Sequence, residues 1–133
     1  VAYADDGSYP IASMSTSSVT FYSDFDRDAS AEKVRYYLQG TVLRRGVINA
    51  TGTPPTYSSA NEQVTVVSLY VRNSLQSLPV FRYYNASSTE VAAGTATTSI
   101  RSIRVDMIVN VDANRLPGEF TLRSMASLRN LKN

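Results

Sequence analysis

Hydrophobic and polar residues alternate most clearly in two runs near the C-terminus, Ser99 to Val111 and Phe120 to Leu131. In the first run, apolar side chains stand at every second position: Ile103, Val105, Met107, Val109 and Val111. A period of two is typical of a strand with one buried face. The Asn, Pro and Gly residues between the runs favour a turn. The two runs therefore predict a long antiparallel hairpin.

The register of this hairpin follows from matching the apolar positions of its two strands. Placing Val111 opposite Phe120 gives the further pairs Val109 with Leu122, Val105 with Ala126, and Ile103 with Leu128. This register makes one face a continuous apolar surface. On the polar face, Arg123 lies opposite Ile108 and diagonal to Asp106. Because no other predicted strand covers the apolar face, we expect a helix outside the given sequence to pack on it. In the chain as given, we expect residues 1–14 or a second copy of the chain to cover part of the face.

Shorter alternating runs predict the remaining strands. The predicted strands cover residues 17–23, 33–38, 41–48, 79–84, 99–111 and 120–131, and residues 62–78 predict a strand that continues into a helical turn. No crossover helix separates these strands, which is typical of an antiparallel sheet. We expect a mainly β fold, α+β with the helix included, in which one domain over residues 1–133 contains an antiparallel sheet of about six strands.

The composition excludes several classes of protein. The chain has no cysteine and no histidine, which removes disulfides, thiolate nucleophiles, His-centred triads and the usual zinc sites. No apolar run approaches the roughly 18 residues of a membrane-spanning helix, and no signal peptide is evident. The sequence begins at Val1 without a methionine, which suggests a mature or trimmed fragment. We predict no enzymatic activity, no cofactor and no small-molecule substrate.

An acidic loop between two predicted strands carries the first candidate site. Four carboxylates stand at positions 1, 3, 5 and 9 of this loop: Asp24, Asp26, Asp28 and Glu32. That is the ligand spacing of a calcium loop. Two positions depart from the calcium motif, since Ala29 replaces the turn glycine and Arg35 replaces the twelfth-position acid. The loop is therefore either a calcium site or a solvated acidic turn, and the departures favour the turn.

The basic residues carry the second candidate site. The chain has eleven arginines, two lysines and a net charge of +2. Arg104 and Arg123 fall on the polar face of the predicted hairpin, where they could contact the phosphates of a nucleic acid. Asp106 and Asp112 lie in the same hairpin, and alternating arginines often do no more than solvate a strand. A net charge this small does not itself indicate a nucleic-acid-binding protein.

Several segments, taken in order, resemble one family of bacterial proteins. The segments are Ser18–Asp28, Glu32–Leu38, Leu43–Gly46, Pro79–Tyr84, Ile103–Asp112, Phe120–Ser124 and Leu128–Leu131. Their order and spacing resemble the globular head of type IV pilin-like proteins. The likeness is greatest to the minor pseudopilins of type II secretion and competence systems, in particular the J-type subunit. It covers residues 17–131.

The resemblance implies a long N-terminal helix that lies against the sheet. In this family the helix anchors the subunit in the inner membrane before assembly and packs in the filament core. Processing by a prepilin peptidase, N-methylation and a place in the bacterial envelope, on its extracytoplasmic face or at the cell surface, are further implications. Neither the cleavage site nor the helix occurs in the given sequence, so we expect the helix to be missing or truncated here.

Three functional hypotheses follow. The first is a structural minor subunit of a type IV pilus or of a secretion or competence pseudopilus, which works through contacts with other pilin or pseudopilin subunits. The second is a minor pilin that captures DNA for uptake through the arginines of the hairpin. The third is a calcium-dependent β adhesion or carbohydrate-binding module without a pilus.

Overall fold

The computed structural model describes residues 10–24, 26–94, 96–110 and 119–127, and these residues form a mainly β structure. Their strands are β1 (Ile11–Met14), β2 (Ser18–Ser23), β3 (Glu32–Gln39), β4 (Val42–Ile48), β5 (Gln63–Ser68), β6 (Phe81–Tyr84), β7 (Glu90–Val91), β8 (Ser102–Val109) and β9 (Phe120–Ser127). Short 3₁₀ turns lie at Ser59–Asn61, Ser74–Gln76 and Thr97–Ser99. Within the described ranges, no helix has the length and apolar character needed to cross a bilayer.

The strands form two antiparallel sheets. The first sheet has the order β1-β2-β3-β4-β5, and the second has the order β7-β6-β8-β9. The predicted antiparallel, mainly β class is confirmed, whereas the prediction of one sheet of about six strands is wrong. Alternation shows that each strand has an apolar face, but it does not show which strands share a sheet. The short strands β1 and β7 were also missed.

The chain passes between the sheets through residues 70–73, which run beside β8. Val71 forms an isolated β-bridge with Val109, and its amide donates to the Thr41 carbonyl at 2.8 Å. The buried Asn73 side chain fills the gap between this segment and β6. Its Nδ2 donates to the carbonyls of Asp106 (2.8 Å) and Pro79 (3.2 Å), and its Oδ1 accepts from the Ile108 amide (2.9 Å). The Asn73 side-chain amide thus makes the hydrogen bonds that the main chain of a further strand residue would make beside β8.

A buried tyrosine connects the sheets at a second point. The Tyr83 hydroxyl donates to the Ser15 carbonyl at 2.7 Å and lies 3.1 Å from the Ser18 carbonyl. Burial raises the pKa of Tyr83 far above its ordinary value, and the hydrogen bond to Ser15 offsets only part of that rise. The phenol therefore stays protonated and continues to donate to the turn between β1 and β2.

The core lies where the two sheets face each other. Its buried side chains come from the first sheet (Ile11, Val19, Leu43), the second sheet (Phe81, Tyr83, Ile103) and the connections (Val71, Val80, Ile100). The first sheet thus covers part of the hairpin's apolar face. The expectation that no other predicted strand would cover that face is wrong at Ile103, which is buried in this core together with residues of β2 and β4.

The C-terminal hairpin forms as predicted, but its register differs by two residues. Val109 lies opposite Phe120, Met107 opposite Leu122, Val105 opposite Ser124, and Ile103 opposite Ala126. The pairs predicted for Val111 and Leu128 involve residues outside the described part of the chain. A shift of two keeps every side chain on its face, so alternation cannot distinguish the two registers. The observed register places Asp106 directly opposite Arg123.

Candidate functional site

An apolar groove of about 320 Å³ runs between the two sheets. Five of its lining residues come from the first sheet (Val19, Phe21, Tyr36, Leu43, Val67) and five from the second (Phe81, Ile103, Val105, Met107, Ala126). The stacked rings of Phe21 and Tyr36, with centroids 6.0 Å apart, form part of one wall. The hairpin pattern predicted the Ile103, Val105, Met107 and Ala126 side of this groove. The residues of the first sheet were missed, although their alternation was the available signal.

Two exposed edge strands flank the groove. Val67 of β5 and Ala126 of β9 belong to its lining, and every residue of β9 is exposed. Phe120 and Leu122 are 47% and 48% exposed. Contiguous exposed apolar patches often mark an interaction surface. The open side of the molecule is therefore suited to contact an apolar partner.

The acidic loop lies between β2 and β3, and the structure brings all four predicted ligands together. One oxygen from each of Asp24, Asp26, Asp28 and Glu32 lies within 4.8 Å of the other three. Oxygens bound to one calcium ion at roughly 2.3–2.6 Å lie at most about 5 Å apart. The oxygen spacing is thus compatible with a single hard cation, and the residue types are those that calcium prefers.

The backbone of the acidic loop explains how it closes without a glycine. Arg27 and Ala29 adopt positive φ angles of 62° and 73°, the left-handed region that usually favours glycine. The Asp24 carboxylate accepts from the amides of Asp28 (3.0 Å) and Ala29 (3.1 Å). These bonds hold the turn that Ala29 was expected to oppose, but they also occupy oxygens that a cation would need.

A polar groove of about 670 Å³ adjoins this loop. Asp26 lines it together with Arg45, Asn49, Asn61 and Gln63. Carboxylate, amide and guanidinium groups in an open groove can donate and accept hydrogen bonds with a polyhydroxylated ligand. The sequence did not predict this groove, because its residues come from β4, β5, the loop between them and the acidic loop that precedes β3.

The arginines predicted to contact nucleic acid converge on one buried carboxylate. Asp106 accepts from Arg123 Nε at 2.7 Å and from Arg104 Nε at 3.0 Å, and Arg82 Nε lies 3.4 Å from it. Burial acts to raise the pKa of Asp106, but the hydrogen bonds and charges of Arg123 and Arg104 outweigh burial and lower it. Arg82 also pairs with Glu90 at 3.4 Å.

This arginine cluster therefore has a structural explanation. The sequence placed Asp106 only diagonal to Arg123 and suggested a separate basic patch for Arg82 with Arg35, Arg44 and Arg45. The structure places Arg82 beside Asp106 instead, because β6 is the neighbour of β8. Three guanidinium groups near two carboxylates leave a local charge of about +1, which is small for a phosphate-binding surface. The contact of Arg104 and Arg123 with nucleic acid stays a prediction.

No family model matches the chain, and no similar sequence among curated proteins and no similar solved structure was found.

Proposed function

We propose that this chain is the globular head of a pilin-like minor subunit, a structural component of a bacterial type IV pilus or pseudopilus that works through protein contacts. The observation that supports the proposal most directly is the apolar groove, which is open between two edge strands. The proposed location is the bacterial envelope, with other pilin or pseudopilin subunits as partners.

The apolar lining of the groove suits one face of a helix that packs over it. An α-helix is about 10–12 Å across with its side chains, and an amphipathic helix presents an apolar stripe that needs a complementary surface. The groove offers apolar side chains from both sheets, with Val105 and Met107 only half-buried on one side. A helix in this position would cover both residues and complete the core. We assign this helix to the segment that precedes residue 1 in the full-length protein.

The given sequence contains no cysteine, so introduced cysteines allow a direct test by disulfide cross-linking in the full-length gene product. Ala126→Cys places one thiol at the groove. A second cysteine is then introduced, one position at a time, along the proposed helix that precedes residue 1. We expect disulfide formation to recur every three to four residues, because only one face of a helix would meet Ala126.

A matched control uses Thr121→Cys, at an exposed position of β9 on the other face of the hairpin. This variant should cross-link weakly and without periodicity. Cross-linking from Ala126→Cys that is absent, or equal at every position of the segment, would contradict the proposed helix and with it the pilin-like assignment.

Calcium-dependent carbohydrate binding is a second candidate function. Asp26 belongs both to the acidic loop and to the polar groove, so a cation in the loop would sit beside the hydrogen-bonding groups of the groove. Glycan-array binding in calcium, compared with binding in a chelator, tests this candidate. Binding that needs calcium and is lost in both Asp26→Asn and Asn61→Ala would favour it, and binding to no glycan would reject it.

A further inference from the structure

Exposed apolar side chains are concentrated on β5 and the residues that follow it. Five large hydrophobic residues between positions 64 and 70 are at least 43% exposed: Val64, Val66, Val67, Leu69 and Tyr70. Val64 and Val66 are alternate residues, so they share the face of the strand opposite Thr65, which lines the polar groove. Val67, where the pairing of β5 with β4 shifts register, lines the apolar groove. The surface formed by Val64 and Val66 is therefore distinct from the apolar groove.

Among the strands that the structure describes, β5 is an edge strand with few of the features that normally protect one, and a register shift at Val67 against β4 is the exception. Its sequence, Gln-Val-Thr-Val-Val-Ser, contains no charge, no proline and no glycine. The other described edge strands differ, since β1 is four residues long, β7 has two residues including Glu90, and β9 carries Arg123. Natural proteins block sheet edges with short strands, charges or prolines. A β-bulge also protects an edge, but residues 63–66 of β5 pair regularly with β4 and leave an edge to which another strand can add.

We propose that β5 pairs antiparallel with β5 of a second copy of this chain, joining two first sheets across a two-fold axis. In the register centred on Thr65, Val64 of each copy lies opposite Val66 of the other. The four valines then form one apolar cluster, and the two Thr65 side chains face each other on the opposite surface.

We infer that the partner strand is β5 of a second copy, because the side chains along this edge match those of an identical strand. A two-fold axis normal to the sheet preserves the faces of both strands, so valine meets valine and threonine meets threonine. Valine pairs and threonine pairs are both favourable across antiparallel strands. No charge on β5 requires an oppositely charged partner. A strand of six residues spans about 20 Å, which makes a small interface and a weak dimer.

Sedimentation velocity on the wild-type chain, from about 1 µM to about 1 mM, tests the proposal and does not depend on the pilin-like assignment. We expect a monomer at low concentration and a dimer at high concentration. In the same range, hydrogen exchange of the β5 amides should slow as concentration rises. A monomer throughout, or exchange that is independent of concentration, would overturn the proposal.

Charge variants test the register. V64K/V66K and V64E/V66E place like charges opposite each other, so each should weaken the dimer by at least about tenfold. An equimolar mixture of the two should dimerise again, because lysine then faces glutamate. M125K, at an exposed residue of β9, is the matched control and should leave the dimer unchanged. Dimerisation that survives V64K/V66K, is not restored in the mixture, or is lost in M125K would refute pairing through β5.

Discussion

Replacing Asn73 by alanine should destabilise the fold strongly for the exchange of a single polar side chain. The substitution removes three hydrogen bonds and leaves the carbonyls of Asp106 and Pro79 and the amide of Ile108 without their buried partner. At about 1 kcal/mol for each bond, the free energy of unfolding should fall by about 3 kcal/mol. Because Asn73 is 1% exposed, water cannot easily replace the lost groups.

Urea denaturation followed by circular dichroism measures this loss. Asn61→Ala, at an exposed position, is the control and should change the free energy of unfolding by less than about 0.5 kcal/mol. Asn73→Asp keeps an oxygen that accepts from the Ile108 amide, but it replaces the donating Nδ2 with an oxygen that faces two carbonyl oxygens. At pH 7 it should therefore be at least as destabilising as Asn73→Ala. A loss below about 1 kcal/mol for Asn73→Ala would mean that the side chain does not replace main-chain hydrogen bonds.

Four further predictions concern the candidate sites. The arginine partners of Asp106 lower its pKa, so the ionised carboxylate stabilises the fold above the unfolded pKa of about 3.9. This stabilisation should be lost as the pH falls through the lower folded pKa. In acid unfolding, Asp106→Asn should therefore lose less free energy of unfolding over that pH range than the wild type. Calorimetry should give a calcium dissociation constant weaker than about 10⁻⁵ M, since loop amides already donate hydrogen bonds to the carboxylates. Asp26→Asn should abolish any heat of calcium binding that is measured. Met107→Ala and Leu122→Ala should each lower the free energy of unfolding by less than the roughly 2–5 kcal/mol found at fully buried sites, which thermal melts can measure. A decrease within that range would indicate that the groove is closed to solvent. Duplex DNA binding should disappear by physiological salt, and binding in a filter assay that persists there and falls in Arg123→Ala would restore the DNA-uptake hypothesis.

The sequence alone determined the local structure. Alternation in residues 103–109 and 120–126 fixed the two hairpin strands and the face each residue occupies, because successive side chains of a strand point to opposite sides. The spacing of Asp24, Asp26, Asp28 and Glu32 likewise brought four carboxylates into one loop, since all four ligands lie within nine residues of chain.

Only the tertiary structure decided which strands meet. The two hairpin registers put each side chain on the same face, so alternation does not choose between them. The observed register is the one that places Asp106 opposite Arg123. The division into two sheets depends on Asn73 and Tyr83, whose bonds join groups 33 to 68 residues apart. A pattern with a period of two contains no information about partners so distant in the chain. For that reason the apolar groove, which needs both sheets, and the arginine cluster, which needs β6 beside β8, could not be predicted from the residues that form them.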